Sequence, residues 1–283
     1  MKRRKPRKLT PRITRVVLIW CACMLAACSA TNVAQDSGLT RTDVSGPPFM
    51  LATWSKGLGG PASALHIYIE GDGRAFVRSR VSNNPTPRKA IGLRLASADP
   101  SPAVLYIARP CQFTKVPLPV NCSRRFWSND RYSETVLGAI EEVVDWARRK
   151  WERASLAPPP VVIVGFSGGG TIAILLADRD DEIVGLVTVA ANSDLTAWTT
   201  HHGVAPLEGS LNPADLETTR KSSLRQHHHV GSADSVVPRA IVESYIAKRG
   251  LAPSAMRIHA GFDHDCCWES QWPELVCEVS PQC

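Results

Sequence analysis

The chain has 283 residues, 44% of them hydrophobic and 21% charged. That is enough apolar material for one sizeable core and too much for a disordered chain. The formal net charge is +7, but eight of the 33 Lys and Arg fall in the first 15 residues, and without them the balance is about −1 (7 − 8). Bulk charge therefore gives no reason to expect a nucleic-acid partner, and none is expected.

The first 15 residues carry no acid and lead into twelve apolar residues, V-V-L-I-W-C-A-C-M-L-A-A. Twelve is too few to cross a bilayer, which takes about 20, and suits the core of an export signal over residues 1–27. At its end, Leu25-Ala26-Ala27-Cys28 resembles the bacterial lipobox. The resemblance implies cleavage before Cys28 and lipidation of that cysteine; Ser29 resembles the outer-membrane sorting class, which places the protein in the cell envelope facing the periplasm. Several acyl chains on one cysteine would tether the protein to the membrane. The cleaved chain of 256 residues (283 − 27) fits one α/β domain. Residues 28–47 are polar and punctuated by Gly and Pro, which predicts a tether with little core of its own, and residues 48–283 form the folded domain.

Apolar strand candidates follow at Phe49 to Trp54, Leu65 to Ile69, Ala103 to Ala108, Val161 to Val164, Ile183 to Ala190, Arg225 to Val230 and Met256 to His259. Helical patterns fall between them. The clearest begins after Ser133, which can cap it; Val136, Ile140, Val143, Val144 and Ala147 then recur on one face. Trp146 and Trp151 are read as packing residues. Alternating strand and helix predicts a mainly parallel sheet covered on both faces.

Three stretches carry chemistry. V-V-I-V-G-F-S-G-G-G runs from Val161 to Gly170 and continues as T-I-A-I-L-L-A, a strand, a sharp turn and a helix around Gly165-x-Ser167-x-Gly169. This is the setting in which a serine is held exposed at strained angles while its glycine neighbours let strand and helix approach. A serine needs a base, and the base an orienting acid. G-S-A-D-S-V-V-P presents Asp234 after a strand, and M-R-I-H-A-G-F-D-H-D-C-C-W presents His264 in a loop after the next one. Asp194, after the preceding strand, is the rival acid. His259, inside a strand pattern, is the rival base. Asp263 and Asp265 would raise the basicity of His264 if close to it.

The order Ser167, Asp234, His264 resembles that of the α/β-hydrolase superfamily, from about Pro48 to near the C-terminus. The resemblance implies a serine hydrolase acting on a carboxylic ester or related acyl substrate, with Ser167 as nucleophile, His264 as base and Asp234 as orienting acid. The same constellation serves peptidases, thioesterases and acyltransferases, and the fold also occurs as a non-catalytic binding scaffold. The resemblance further implies an oxyanion hole from the backbone N–H groups of Gly168 and Asp72, the latter in Glu70-Gly71-Asp72-Gly73 where the family carries H-G-x-G. Glu70 departs from that pattern. Two carboxylates beside an oxyanion must turn away or be neutralised, with Arg74 the nearest cation in sequence. Residues 195–223 would cover the site as a cap or loop.

No cofactor and no metal are expected. In His227, His228 and His229, alternation along a strand lets only the outer two share a ligand site. His201 and His202, in the covering stretch, could line a pocket but are read first as surface residues. Of the nine cysteines, Cys21 and Cys23 leave with the signal and Cys28 takes the lipid. Cys111, Cys122, Cys266, Cys267, Cys277 and Cys283 remain, an even number that suggests disulfides in an oxidising compartment. Spacing favours Cys111 with Cys122; the other four would staple the C-terminal segment to itself, with a redox pair of vicinal Cys266 and Cys267 as the alternative.

Overall fold

The computed structural model describes residues 30–217 and 224–280. Chain order is α1 (Ala30–Asp36), β1 (Thr40–Gly46), β2 (Phe49–Lys56), β3 (Leu65–Ile69), a two-stranded hairpin of β4 (Phe76–Val77) and β5 (Arg80–Val81), α2 (Ile91–Ala98) and β6 (Val104–Ile107). Then come α3 (Glu134–Arg153), β7 (Val161–Phe166), α4 (Gly168–Arg179), β8 (Ile183–Val189), α5 (Leu195–His202), β9 (Arg225–Gly231), α6 (Arg239–Lys248), β10 (Met256–His259) and α7 (Trp268–Cys277). Eight strands form one sheet in the order β1-β2-β6-β3-β7-β8-β9-β10. From β6 to β10 all neighbours are parallel; β2 runs antiparallel to β6, and β1 to β2. This is the mainly parallel α/β sheet that the strand and helix alternation predicts.

The central parallel strands β6 and β7 are apolar along their length because both faces are covered. In β7, Val161 and Ile163 join the core beneath α3, α4 and α6, while Val162, Val164 and Phe166 join the core beneath α1, α2 and α7. The face of α3 bearing Val136, Ile140, Val143, Val144 and Ala147 is buried, each Val or Ile side chain contributing about 1.5–3 kcal/mol. Trp151 is buried in the same core and donates to the Gly60 carbonyl at 2.8 Å. Ser133 stands at the head of α3 but makes no side-chain capping bond.

Residues 30–46 correct the expected tether. α1 buries Ala30 and Ala34 in the core with α2, and β1 is an edge strand in register with β2 from Thr40 opposite Ser55 to Gly46 opposite Phe49. T-R-T-D-V-S-G looks like linker because an edge strand is held by backbone pairing and needs few apolar side chains; only Val44 and Gly46 are buried. Gly46 has no room for a side chain, since a Cβ there would lie 2.1 Å from the Ala139 carbonyl oxygen of α3. Residues 1–29, Cys28 included, lie outside the described residues. No helix among the described residues is long and apolar enough to cross a membrane.

A buried polar cluster ties the C-terminal helix to the sheet. Asp99 accepts from His66 Nδ1 at 2.7 Å and from the Tyr68 hydroxyl at 2.5 Å, and Trp272 Nε1 donates to that hydroxyl at 2.7 Å. α7 follows the loop that carries His264, so this anchor fixes one end of that loop.

Candidate active site

The turn between β7 and α4 holds Ser167 at φ 51°, ψ −123°, in the left-handed region that a non-glycine residue adopts only under constraint. Its neighbours supply the constraint. A Cβ on Gly165 would stand 2.3 Å from the Gly169 oxygen, and one on Gly169 would stand 2.2 Å from the Ile69 oxygen. Strand, turn and helix can approach this closely only without side chains there. The serine is thereby presented at the carboxyl end of the central strand, with the head of α4 directly behind it.

Three of the residues singled out in the sequence meet there. His264 Nε2 lies 3.1 Å from Ser167 Oγ, and His264 Nδ1 lies 2.9 Å from Asp234 Oδ2. Asp234 is fully buried as a side chain while His264 keeps 16% exposure. The other carboxylate oxygen, Oδ1, accepts the backbone N–H groups of Val236 and Val237, each at 2.8 Å. That local turn explains the S-A-D-S-V-V-P pattern: the chain after β9 wraps its own amides around Asp234 and leaves one oxygen for the histidine. With Nδ1–H donated to a carboxylate, Nε2 is the basic nitrogen facing the serine hydroxyl.

The rival acid has other work. Asp194 caps α5, accepting from the Ala197 N–H at 3.1 Å, and binds Lys248 at 2.8 Å and the Ser244 hydroxyl at 2.7 Å. Burial pushes its carboxyl up, but those bonds and the lysine charge outweigh burial and hold it below the ordinary carboxylate range. The rival base, His259, sits on β10 with Nε2 2.9 Å from His229 Nδ1. Asp263 and Asp265 make no hydrogen bond to His264 among the described residues, although the Asp263 and His264 charges interact. Asp263 turns to the backbone N–H groups of Asp265 and Cys266, and Asp265 pairs with Lys89 at 2.7 Å.

Both carboxylates of the E-G-D-G loop are neutralised, though not by Arg74. Glu70 is buried and accepts from the N–H of Gly71 at 2.9 Å, from those of Gly92 and Leu93 at 3.3 Å, and from the Tyr106 hydroxyl at 2.9 Å. It sits at the N-terminus of α2, where unpaired amides and the helix dipole favour an anion. Burial nonetheless wins and leaves its carboxyl above the usual range. Asp72 is clamped by Arg131 at 2.7 Å, Arg109 at 3.2 Å and the Tyr132 hydroxyl at 2.8 Å. Burial pushes that carboxyl up, and the two guanidinium charges pull it below the ordinary range. Arg109, Arg131 and Tyr132 were not singled out in the sequence; the only hint is that Arg109 follows β6 at the sheet's carboxyl edge, where ligands bind in such folds.

Gly168 begins α4, so its N–H has no partner within the helix. A Cβ on Gly71 would stand 3.2 Å from Ser167 Cβ, which puts the E-G-D-G loop against the serine. Buried Gln112 donates to the Gly71 carbonyl at 2.9 Å. In a trans peptide the N–H of the next residue, Asp72, faces opposite to that carbonyl.

Ser167, His264, Gly71, Asp72 and Gly168 open into a cavity of about 400 Å³, walled by Phe166, Trp198, Val236 and Val237 and rimmed by Arg88 and Lys89. Trp198 comes from α5, within the stretch expected to cover the site, and is fixed by donating to the Val236 carbonyl at 2.9 Å. Residues 218–223 of that stretch lie outside the described residues. His202 meets the same carbonyl, and His201 packs on His202. In β9, His228 meets Thr188 Oγ1 at 2.8 Å and His227 meets Glu278 at 3.0 Å.

Disulfides join Cys111 to Cys122 and Cys266 to Cys267. The second replaces the expectation that these two cysteines staple other parts of the C-terminal segment: adjacent in the chain, they bond to one another, two residues beyond His264. Cys277 is also disulfide-bonded, and Cys283 lies outside the described residues.

The chain has the α/β-hydrolase fold. It superposes on an alpha-beta serine hydrolase homologue from Coxiella burnetii at 16% identity and TM-score 0.53, covering 85% of this chain and 95% of that one. An esterase from Pyrococcus furiosus matches at 11% identity and TM-score 0.57, over 87% and 94%. An esterase from Pyrobaculum calidifontis matches at 11% and 0.56, over 89% of each chain. No protein-family model matches the sequence, and no curated protein is significantly similar to it.

Proposed function

We propose that this protein is a serine hydrolase that cleaves carboxylic esters through an acyl-enzyme on Ser167. The observation that carries the reading is the unbroken relay from Ser167 Oγ through the His264 ring to Asp234, with steps of 3.1 and 2.9 Å, opening on a walled cavity. In the first half-reaction His264 Nε2 takes the proton of Ser167 as Oγ attacks the ester carbonyl, and Asp234 stabilises the imidazolium that forms. The N–H groups of Gly168 and Asp72 receive the negative charge on the carbonyl oxygen, an effect worth about 2.7–4 kcal/mol per donor in related chemistry. His264 then returns the proton to the departing alcohol. In the second half-reaction water, deprotonated by the same nitrogen, attacks the acyl carbon and frees Ser167.

Turnover of p-nitrophenyl esters by residues 30–283, with disulfides intact, beside Ser167→Ala tests the reading. The wild type should hydrolyse them and the variant should not rise above background. A folded wild type inert towards short and long esters alike would favour a binding scaffold instead.

Location belongs to the same proposal and rests on the sequence of residues 1–29 alone. We propose a bacterial envelope lipoprotein lipidated at Cys28, acting at the periplasmic face of the outer membrane. Metabolic labelling with a clickable palmitate analogue should mark the full chain and not Cys28→Ala; labelling retained in that variant would refute it.

A further inference from the structure

The charges around the cavity are all matched within the protein but one. Glu70 has four donors, Asp72 has two guanidinium groups, and Lys89 is paired with Asp265 beside His264. Arg88 also lines the cavity, is exposed, and has no hydrogen bond or ion pair from its side chain among the described residues. We propose that Arg88 is a specificity-determining residue that engages an anionic oxygen group, a carboxylate or a phosphate, carried by the ester substrate. This rests on the serine hydrolase reading above and names its substrate class.

Two independent features support the assignment. The first is that the loop presenting Arg88 is held in place on both sides. The Pro85 carbonyl accepts from the Arg74 N–H at 2.9 Å, Thr86 Oγ1 accepts from the Phe113 N–H at 2.8 Å, and the Lys89 carbonyl accepts from Arg94 Nε at 3.1 Å. Gly73 lies so close beneath that a Cβ there would be 2.1 Å from the Pro85 oxygen. A cation on a fixed loop loses less freedom on binding than one on a mobile loop.

The second is the field in which Arg88 stands. Between Asp72 and Asp99 the sequence has six cations, Arg74, Arg78, Arg80, Arg88, Lys89 and Arg94, and no acid. The near-neutral balance of the rest of the chain conceals this run. Arg74, Arg78, Arg80 and Arg124 line a depression whose chain segment leads directly from the cavity-lining Gly73. Lys89 and Arg94 of this run are offset by Asp265 and Glu269, which leaves Arg74, Arg78, Arg80 and Arg88 as the cations that would raise the local concentration of an anionic substrate. Trp198, Val236 and Val237 line the same cavity and are largely apolar, so with Lys89 paired to Asp265 the cavity combines apolar walls with the one unmatched cation, Arg88.

The test measures kcat/KM for matched esters in two arms. One compares mono-p-nitrophenyl glutarate with p-nitrophenyl butyrate, which differ by a carboxylate on the acyl side. The other compares butyryl glycerol 3-phosphate with butyryl glycerol, which differ by a phosphate on the alcohol side. The readout is the ratio of anionic to neutral ester within one preparation, so a general loss of activity cancels. In at least one arm the wild type should prefer the anion, Arg88→Gln should lower that ratio on the order of tenfold, and Arg88→Glu should lower it further. The arm that responds identifies the anion. Added salt at about 0.5 M should compress the wild-type ratio. Ratios unchanged by Arg88→Gln in both arms, with ester turnover intact, overturn this proposal and leave the hydrolase reading standing. No turnover of any of the four esters overturns both.

Discussion

Gln112 donates to the Gly71 carbonyl at 2.9 Å, while its own carbonyl accepts from the Arg109 N–H at 3.1 Å, so a side chain 41 residues away fixes the peptide plane that carries the Asp72 amide. If that amide stabilises the oxyanion, Gln112 is a positioning residue for it. Gln112→Leu fills similar space and releases the plane. It should lower kcat on the order of tenfold with little change in KM, since the bond matters most where charge develops. Gln112→Glu, which keeps the size and loses the donor, should behave alike. A rise in KM or a fall in thermal stability with kcat unchanged would make Gln112 merely structural.

The two candidate acids should separate cleanly. Asp234→Asn keeps the shape but favours the wrong histidine tautomer, and should lower kcat by roughly three to four orders of magnitude without unfolding the protein. Asp194→Asn should leave kcat within a few fold and reduce stability by about 1.5–3 kcal/mol, because it weakens charge-assisted bonds from Lys248 and Ser244. Kinetics and urea unfolding of both variants check this. The reverse pattern would move the acid to Asp194.

How much of this was legible in the sequence follows the physics of each part. β7 reads clearly because a strand buried on both faces is mainly apolar, β3 departs from that only at His66, and the serine turn reads clearly because its glycines are sterically forced. β1 did not, since pairing along an edge leaves little trace in composition. The clamp on Asp72 was hidden for another reason. Its partners Arg109 and Arg131 lie 37 and 59 residues away, and only the sheet order brings them together. Ser133 shows the opposite failure, a recognised cap residue that makes no capping bond in place.

Asp72 sets a pH dependence. Its folded carboxyl is held below the ordinary range, chiefly by Arg131 and Arg109 acting against burial. A depressed value means stabilisation that is complete above the unfolded pKa, about 4, and lost as pH falls through the folded value. The urea midpoint should therefore drop steeply on going below about pH 4. Asp72→Asn should flatten that drop and, by leaving two buried guanidinium groups unmatched, cost about 3–5 kcal/mol at pH 7. An unaltered pH profile in the variant would contradict the assignment.

The Cys266–Cys267 crosslink lies in the short segment between His264 and α7, where Trp268 Nε1 also donates to the His264 carbonyl at 3.3 Å. Replacing both cysteines with serine should leave the fold in place, because Trp268 and Trp272 stay buried in the core. It should lower kcat on the order of tenfold by letting the histidine wander, short of the roughly hundredfold loss that a 1 Å misplacement can bring. Circular dichroism and steady-state kinetics test this; wild-type kcat would show that the crosslink does not position the base.

The central claim is that Ser167 is a nucleophile activated by His264. The most direct measurement is labelling of the folded protein with a fluorophosphonate, followed by peptide mass mapping. One adduct should form, on the peptide carrying Ser167, lost in Ser167→Ala and slowed by orders of magnitude in His264→Ala. A folded protein that takes no label, or takes it at another residue, would contradict it.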